Sequence, residues 1–268
     1  MVLTLLGSTI GCTREWKTLF GTYKYVHIQY IVEQYVNFDH AFFEFDRTES
    51  TLYMAVSHSS ENCPIIHNTY QDKYELEWDG ANIIAPKCED SECSHEECVE
   101  FRVLAQKNGD GKLDVWEPDD NQITSACAQN FTDITITSIN DYDENHPAGT
   151  PLDDVVNVLF HSYKTMVEDG VFLGKLDKYG NGRRPDRISK KLEELTPHDM
   201  SIIVSRFSPN RYQFSIPSAS SFTFTFESLP TLSQQHTLEI VFVSDEGEEF
   251  RFEVDVDFAP TVAEVEEK

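Results

Sequence analysis

A mainly β, antiparallel fold is what this sequence predicts, and three observations predict it. Residues 132–139 alternate strictly, with Ile134 and Ile136 on one face and Thr135 and Thr137 on the other. Phe222, Phe224 and Phe226 are spaced by two, which places three rings on one side of a strand. Residues 238–243 and 250–258 flank Asp245-Glu246-Gly247, and two alternating runs around a short glycine-containing link make a hairpin. Many short runs of this kind, separated by turns, build a sandwich of two sheets.

Taken in order, the first strand signal is residues 23–32, rich in tyrosine, valine and isoleucine. Residues 51–56 form the next run, and residues 99–104 alternate between apolar and charged positions, so both read as strands. Thr150-Pro151-Leu152-Asp153 has the look of a helix start, with proline at the first helical position. The β-branched run 155–160 that follows reads equally well as a strand. One short helix is expected near 187–195, from Ile188, Leu192 and Leu195 at four- and three-residue spacing before Pro197. Residues 169–187, with four glycines and one proline, are expected to be a long loop. The acidic stretch 259–268 reads as a disordered tail.

The net charge of −26, from 47 acidic and 21 basic residues, argues against nucleic acid as a partner, because phosphates would be repelled and no basic stripe offsets the field. With 40% hydrophobic and 12% aromatic residues the chain can build a core. Tyr23, Tyr25, Tyr30, Tyr35, Phe38, Phe42, Phe43 and Phe45 crowd the N-terminal region, where rings serve a core or a ligand surface. Core is the reading taken.

Residues 1–12 pass from Leu3, Leu5 and Leu6 through Gly7-Ser8-Thr9-Ile10-Gly11 to Cys12 and then to polar Thr13-Arg14-Glu15. This reads as the tail of a lipoprotein signal with Cys12 as the acylated residue. The stretch has no Lys or Arg before Arg14 and carries Thr9 three residues before the cysteine; the rival reading is a buried N-terminal strand. Twelve residues cannot cross a bilayer, which takes about 20 apolar residues as a helix, so any membrane link is by lipid anchor only. Beyond Cys12, five cysteines remain: Cys63, Cys88, Cys93, Cys98 and Cys127. In an oxidising compartment these are disulfide candidates, two bridges and one spare thiol.

Three pieces of the second half belong together: Asp141-Tyr-Asp-Glu-Asn-His-Pro-Ala-Gly-Thr-Pro-Leu-Asp153, Lys191-Leu-Glu-Glu-Leu-Thr-Pro-His-Asp199 and Leu229-Pro-Thr-Leu-Ser-Gln-Gln-His-Thr-Leu238. With the Gly247 hairpin, they make residues 63–258 resemble a recurring group of exported lipoproteins from gut-type Bacteroidetes, a domain of unknown function with an immunoglobulin-like all-β build. The resemblance implies an immunoglobulin-like sandwich over 63–258 and a place at the cell envelope, on the outer membrane or cell surface. It brings no activity. The organisation expected is thus a partial signal over 1–12, a strand-rich segment over 13–62, the sandwich, and the tail.

Calcium is the one cofactor the spacing suggests. In a twelve-residue loop from Gln106 to Glu117, Asn108 and Asp110 take the third and fifth positions, Gly111 the turn, and Asp114 and Glu117 the ninth and twelfth. The first position is neutral Gln106, and Asn-Gly and Asp-Gly also favour a plain hairpin turn. Cys88, Cys93, His95 and Cys98 could hold zinc, though their gaps fit no standard finger and disulfides are the simpler outcome. His146, followed by Pro147, is expected to cap a turn rather than act as a base. No nucleophile elbow, zinc-protease helix or phosphate loop occurs. The expectation is a non-catalytic surface protein that binds a glycan or a protein; the alternative is an extracytoplasmic hydrolase using carboxylates or a metal.

Overall fold

The computed structural model describes residues 15–18, 21–29, 31–32, 34–38, 41–56, 65–67, 73–75, 95–110, 112–114, 125–170, 184–205 and 220–259. In chain order the elements are β1 (Glu15–Thr18), β2 (Gly21–Gln29), β3 (Gln34–Val36), β4 (Ala41–Asp46), β5 (Thr51–Val56), β6 (Ile65–His67), β7 (Lys73–Glu75) and α1 (His95–Asn108). There follow β8 (Lys112–Asp114), β9 (Ser125–Cys127), β10 (Phe131–Ser138), β11 (Val156–Ser162), α2 (Lys164–Asp169) and β12 (Asp186–Lys191). A single 3-10 turn (Leu192–Glu194) precedes β13 (Phe222–Phe226), β14 (Gln235–Ser244) and β15 (Glu249–Asp257). The fold is mainly β and its sheets are antiparallel.

The chain divides into two compact units: Met1–Tyr35, Ile66–Thr124 and Met166–Arg184 make the first, and Val36–Ile65, Ser125–Thr165 and Pro185–Lys268 the second. In the first, β2 pairs with β1, β7 and β8. Helix α1 buries Phe101, Ala105 and Asn108, and the Tyr35 ring lies 5.5 Å from Phe101.

The second unit holds a five-stranded sheet, β12-β11-β13-β5-β4, and a three-stranded sheet, β10-β14-β15. Alternation explains why these strands pack. Leu52, Met54 and Val56 on β5, Val156, Val158 and Phe160 on β11, and Phe222, Phe224 and Phe226 on β13 are buried on one inner face. Ile134 and Ile136 on β10 and Leu238, Ile240 and Phe242 on β14 are buried on the other. At the centre is Phe38, which precedes β4 and belongs to neither sheet. Its ring stands 4.6 Å from Phe131 and from Phe242, with Phe222, Phe250 and Phe252 within 6.0 Å, mostly edge to face. Its backbone N–H donates to Gln129 Oε1. Along one side the sheets are joined by Phe43 against Phe252, Phe45 against Phe258, and an Arg47–Asp257 ion pair of 3.0 Å.

The 238–258 hairpin forms as its alternation predicts, with Phe242 opposite Phe250 and Leu238 opposite Val254. Gly247 supplies the left-handed turn residue at φ +82°. Residues 132–138 and 222–226 are strands, and the 155–160 run falls on strand β11 from Val156 on rather than on a helix. The sandwich draws β4 and β5 from the stretch expected to stand apart over 13–62.

Two expectations are corrected. The short helix near 187–195 is instead strand β12 plus one 3-10 turn; Ile188 lies opposite Phe160 on β11. Ile188 and Leu192 are four residues apart, a spacing that fits a period of two as well as 3.6, and pairing with β11 decided it. Residues 99–104 are not a strand but part of α1. Phe101, Ala105 and Asn108 share the helical spacing, and Val103, on the opposite side, is 58% exposed. The Asn108-Gly109-Asp110 segment then ends a helix instead of turning a hairpin. Gly109 at φ +71° donates to Gln106 O, and Asp110 N–H donates to Ala105 O, the paired bonds of a Schellman stop. Residues 171–183 and the acidic tail beyond 259 lie outside the described residues. No helix among the described residues is long and apolar enough to cross a membrane.

Candidate functional site

The segment joining β10 to β11, residues 139–155, carries the densest polar network of the second unit. Its sequence dictates the form. Asp143 Oδ1 accepts the backbone N–H groups of Asn145 at 2.8 Å and His146 at 2.9 Å, the side-chain turn that aspartate favours. Asp141 Oδ1 accepts Ala148 N–H at 2.8 Å. Gly149, at φ +79°, returns the chain to the sheet by donating to Ser138 O. Leu152 N–H then donates to Ile136 O, and β11 begins at Val156.

His146 is buried inside this turn, and each ring nitrogen meets a carboxylate: Nδ1 lies 2.8 Å from Asp143 Oδ1 and Nε2 2.9 Å from Asp154 Oδ1. Ionised carboxylates only accept, so this arrangement favours the doubly protonated ring, in which both nitrogens donate. Burial alone would lower its proton affinity, but the bonds to Asp154 and Asp143 outweigh that and raise it. Burial pushes the Asp143 carboxyl up, whereas the His146 bond and two backbone N–H groups bring it below its usual value.

Next to it, Asp153 has a buried Oδ1 with no hydrogen-bond partner. Burial first, then the Asp133 charge, pushes its carboxyl up to about 6; the Ile136 N–H opposes this, and Asp154 and Glu193 add to it. The second buried histidine, His236, is also committed at both nitrogens. Nε2 donates to Ser233 O at 3.0 Å and Nδ1 bonds the Ser138 hydroxyl at 2.8 Å.

Tyr142 fastens a second segment to the first. Its hydroxyl donates to Ser228 O at 2.5 Å, and its carbonyl accepts from Thr231 and Leu232. Asn140 Nδ2 donates to Gln235 O and Ile139 N–H to Thr237 O. Residues 139–155 and 227–237 are therefore one stitched surface. It contains the first and third sequence pieces singled out above; the second piece closes β12, where Asp199 accepts from Lys190 Nζ at 2.8 Å and from Thr196 N–H and Oγ1.

The residues marked in the sequence lie elsewhere. Asn108 ends α1 and donates from Nδ2 to the Tyr35 hydroxyl at 3.2 Å. Asp110 is buried, with Oδ1 accepting Ile31 N–H and Oδ2 accepting Val32 N–H, each at 2.9 Å. Those bonds tie both carboxylate oxygens to the backbone of residues 31–32. Asp114 sits on β8 opposite His27, and Glu117 lies outside the described residues. So do Cys12, Cys63, Cys88 and Cys93; Cys98 is on α1. Among the described residues no group of three or more His, Cys, Asp or Glu side chains could hold a metal ion.

Cys127, one of the five disulfide candidates, is a free thiol, fully buried in the core, and burial raises its pKa. Of the crowded aromatics, Tyr35 and Phe38 are core, Phe43 and Phe45 pack against it, and Phe42 is exposed.

Comparison with known proteins returns no matching family model, no matching curated relative and no matching solved structure. The geometry above therefore carries the functional reading by itself. Sequence reasoning reached His146 and its turn but missed Asp143, Asp154 and His236. The Asp143-x-x-His146 spacing was the available signal; the Asp154 contact depends on how the turn closes.

Proposed function

We propose that this chain is an exported, lipid-anchored, non-catalytic protein of the cell envelope, displayed on the outer membrane or cell surface. Its second unit is an immunoglobulin-like sandwich that presents a binding surface for a glycan or a protein. The observation carrying the non-catalytic reading is that the two histidines buried among the described residues have both ring nitrogens engaged. A general base needs a free nitrogen lone pair facing its substrate, and these rings serve to hold loops. The charge of −26 supports export in soluble form and argues against nucleic acid.

The rival hydrolase reading has one observation in its favour, the Asp153 carboxyl at about 6, a value suited to a general acid. Its Oδ1, however, is sealed from solvent.

Metabolic labelling with radioactive palmitate tests the anchored reading: label on the full chain, none on Cys12→Ala, and recovery in the envelope fraction support it. Unlabelled protein in the cytoplasm with all six cysteines reduced overturns it. Release of chromogenic groups from glycoside or ester substrates, abolished by Asp153→Asn, would install the hydrolase in its place.

A further inference from the structure

We infer that the stitched surface formed by residues 139–155 and 227–237 is a docking site for a cationic, amphipathic segment of a partner protein. Five large hydrophobic residues are exposed among the described residues, and three of them, Ile139 at 59%, Leu229 at 50% and Leu232 at 58%, stand on this one surface. These three lie on two segments that the Tyr142, Asn140 and Ile139 hydrogen bonds join, and exposed apolar side chains concentrated in one region amid polar groups mark interaction sites.

The surrounding charge is of one sign. Asp141, Asp143, Glu144, Asp153, Asp154 and Glu227 are six acids, and neither 139–155 nor 227–237 contains a lysine or arginine. Asp141, Glu144, Asp154 and Glu227 are exposed. His146, whose protonated form Asp143 and Asp154 favour, is already held by those two carboxylates. Among the described residues one lysine reaches in, Lys191, which bonds Asp154 O at 2.6 Å and stands 3.8 Å from Glu227 Oε2. An apolar cluster with an acidic rim selects a partner that brings leucine-like side chains and positive charge together. An anionic membrane or a nucleic acid would be repelled.

The surface is also built before any partner arrives. Tyr142 joins Ser228, Thr231 and Leu232; Glu227 N–H donates to Val155 O; Gln234 Nε2 donates to Pro230 O; and Phe258 N–H donates to Gln234 O. Leu229 and Leu232 thus protrude from a segment fixed at both ends. A preformed surface loses little conformational freedom on binding, which favours affinity from few contacts.

This inference rests on the binding-protein reading and chooses protein over glycan within it. The test titrates the full chain with a synthetic amphipathic helix of leucine and lysine, followed by calorimetry and by backbone amide shifts. An all-lysine peptide and a leucine–glutamate peptide are run beside it. The leucine–lysine peptide should bind, shift the amides of Ile139, Leu229 and Leu232, and outbind both controls. Leu229→Ser with Leu232→Ser should weaken binding at least about tenfold, and Phe42→Ser, an equally exposed ring on β4, should not. Equal binding by the all-lysine peptide, or by the double variant, overturns the inference by reducing the effect to diffuse charge. A dimer of the free chain that disappears in the double variant also overturns it, because the occupant is then a second copy. Either failure leaves the anchored reading intact, since palmitate labelling decides that separately.

Discussion

His146 donates from Nε2 to Asp154 across 2.9 Å and so ties the middle of the β10–β11 connection to a residue two positions before β11. With Asp143 holding Nδ1, the ring acts as a bolt through a segment that has no regular secondary structure.

The bolt makes stability depend on pH in a direction that can be worked out. His146 has a raised proton affinity, so its contribution is complete below its unfolded value of 6.5 and is lost as pH rises through the higher folded value. Asp143 is lowered, so its contribution is present above 3.8 and is lost as pH falls through the folded value. Asp153, raised from 3.8 to about 6, makes the fold progressively less stable as pH climbs between those values. Together they place the greatest stability on the acid side of neutrality. Urea midpoints should be higher near pH 5 than near pH 8, and Asp153→Asn should recover about 1 kcal/mol at the higher pH, after allowance for solvent screening. A midpoint that climbs from pH 5 to pH 8 contradicts this.

Removing the bolt should loosen the loop without dissolving the sandwich. His146→Ala leaves the Asp143 and Asp154 carboxylates facing each other without their cation and should cost about 1–3 kcal/mol. Hydrogen exchange is expected to quicken at Gly149 and Leu152, while Ile240 and Phe242 in β14 keep their protection. Uniform loss across β14 would show that the loop and the sheets are one cooperative body.

Phe38 is expected to be the costliest single truncation in the second unit. Five phenylalanine rings lie around it, and Phe38→Ala should remove about 3–5 kcal/mol, read by urea unfolding. A loss under about 1 kcal/mol would mean that the two sheets close without it.

In the first unit Asp110 is the corresponding test. Asp110→Ala abandons the Ile31 and Val32 N–H groups in a buried place and should cost about 2–4 kcal/mol, with exchange at those two amides accelerating first. Because the Asp110 carboxylate already serves two backbone N–H groups and the loop's first position is neutral Gln106, millimolar calcium should leave the melting of the wild-type chain unchanged. A clear upward shift with calcium would favour the metal loop over a purely structural role.

Cys127 should ignore thiol reagents until the sandwich opens, since it is buried and its thiolate is disfavoured. Labelling in native buffer at the rate of a free thiol contradicts the packing described here.

What was legible in the sequence follows from how many chain segments a feature needs. Strands with one buried face print their period directly, as in residues 132–138, 222–226 and the hairpin, because each reports only its own two faces. Residues 186–192 misled because a four-residue spacing satisfies both periods, and the deciding fact was the free edge of β11. Residues 99–104 misled because the alternation of a six-residue window hid a longer helical repeat that begins at His95. The turn around His146 was legible from Asp, Asn, Pro and Gly, whereas its clamp was not, since Asp154 becomes a neighbour only once Gly149 reverses the chain. Phe38 was legible as a core ring within the aromatic-rich stretch but not as the centre of the sandwich, since a ring between two sheets carries no period of its own.

The claim beneath all of this is that the 139–155 turn is a locked platform for binding and holds no reacting base. Nitrogen-detected NMR of the His146 ring against pH tests it most directly. The account predicts two slowly exchanging ring N–H groups at neutral pH and a titration above 6.5. A neutral ring at that pH, with an unprotonated Nε2 open to solvent, would contradict it.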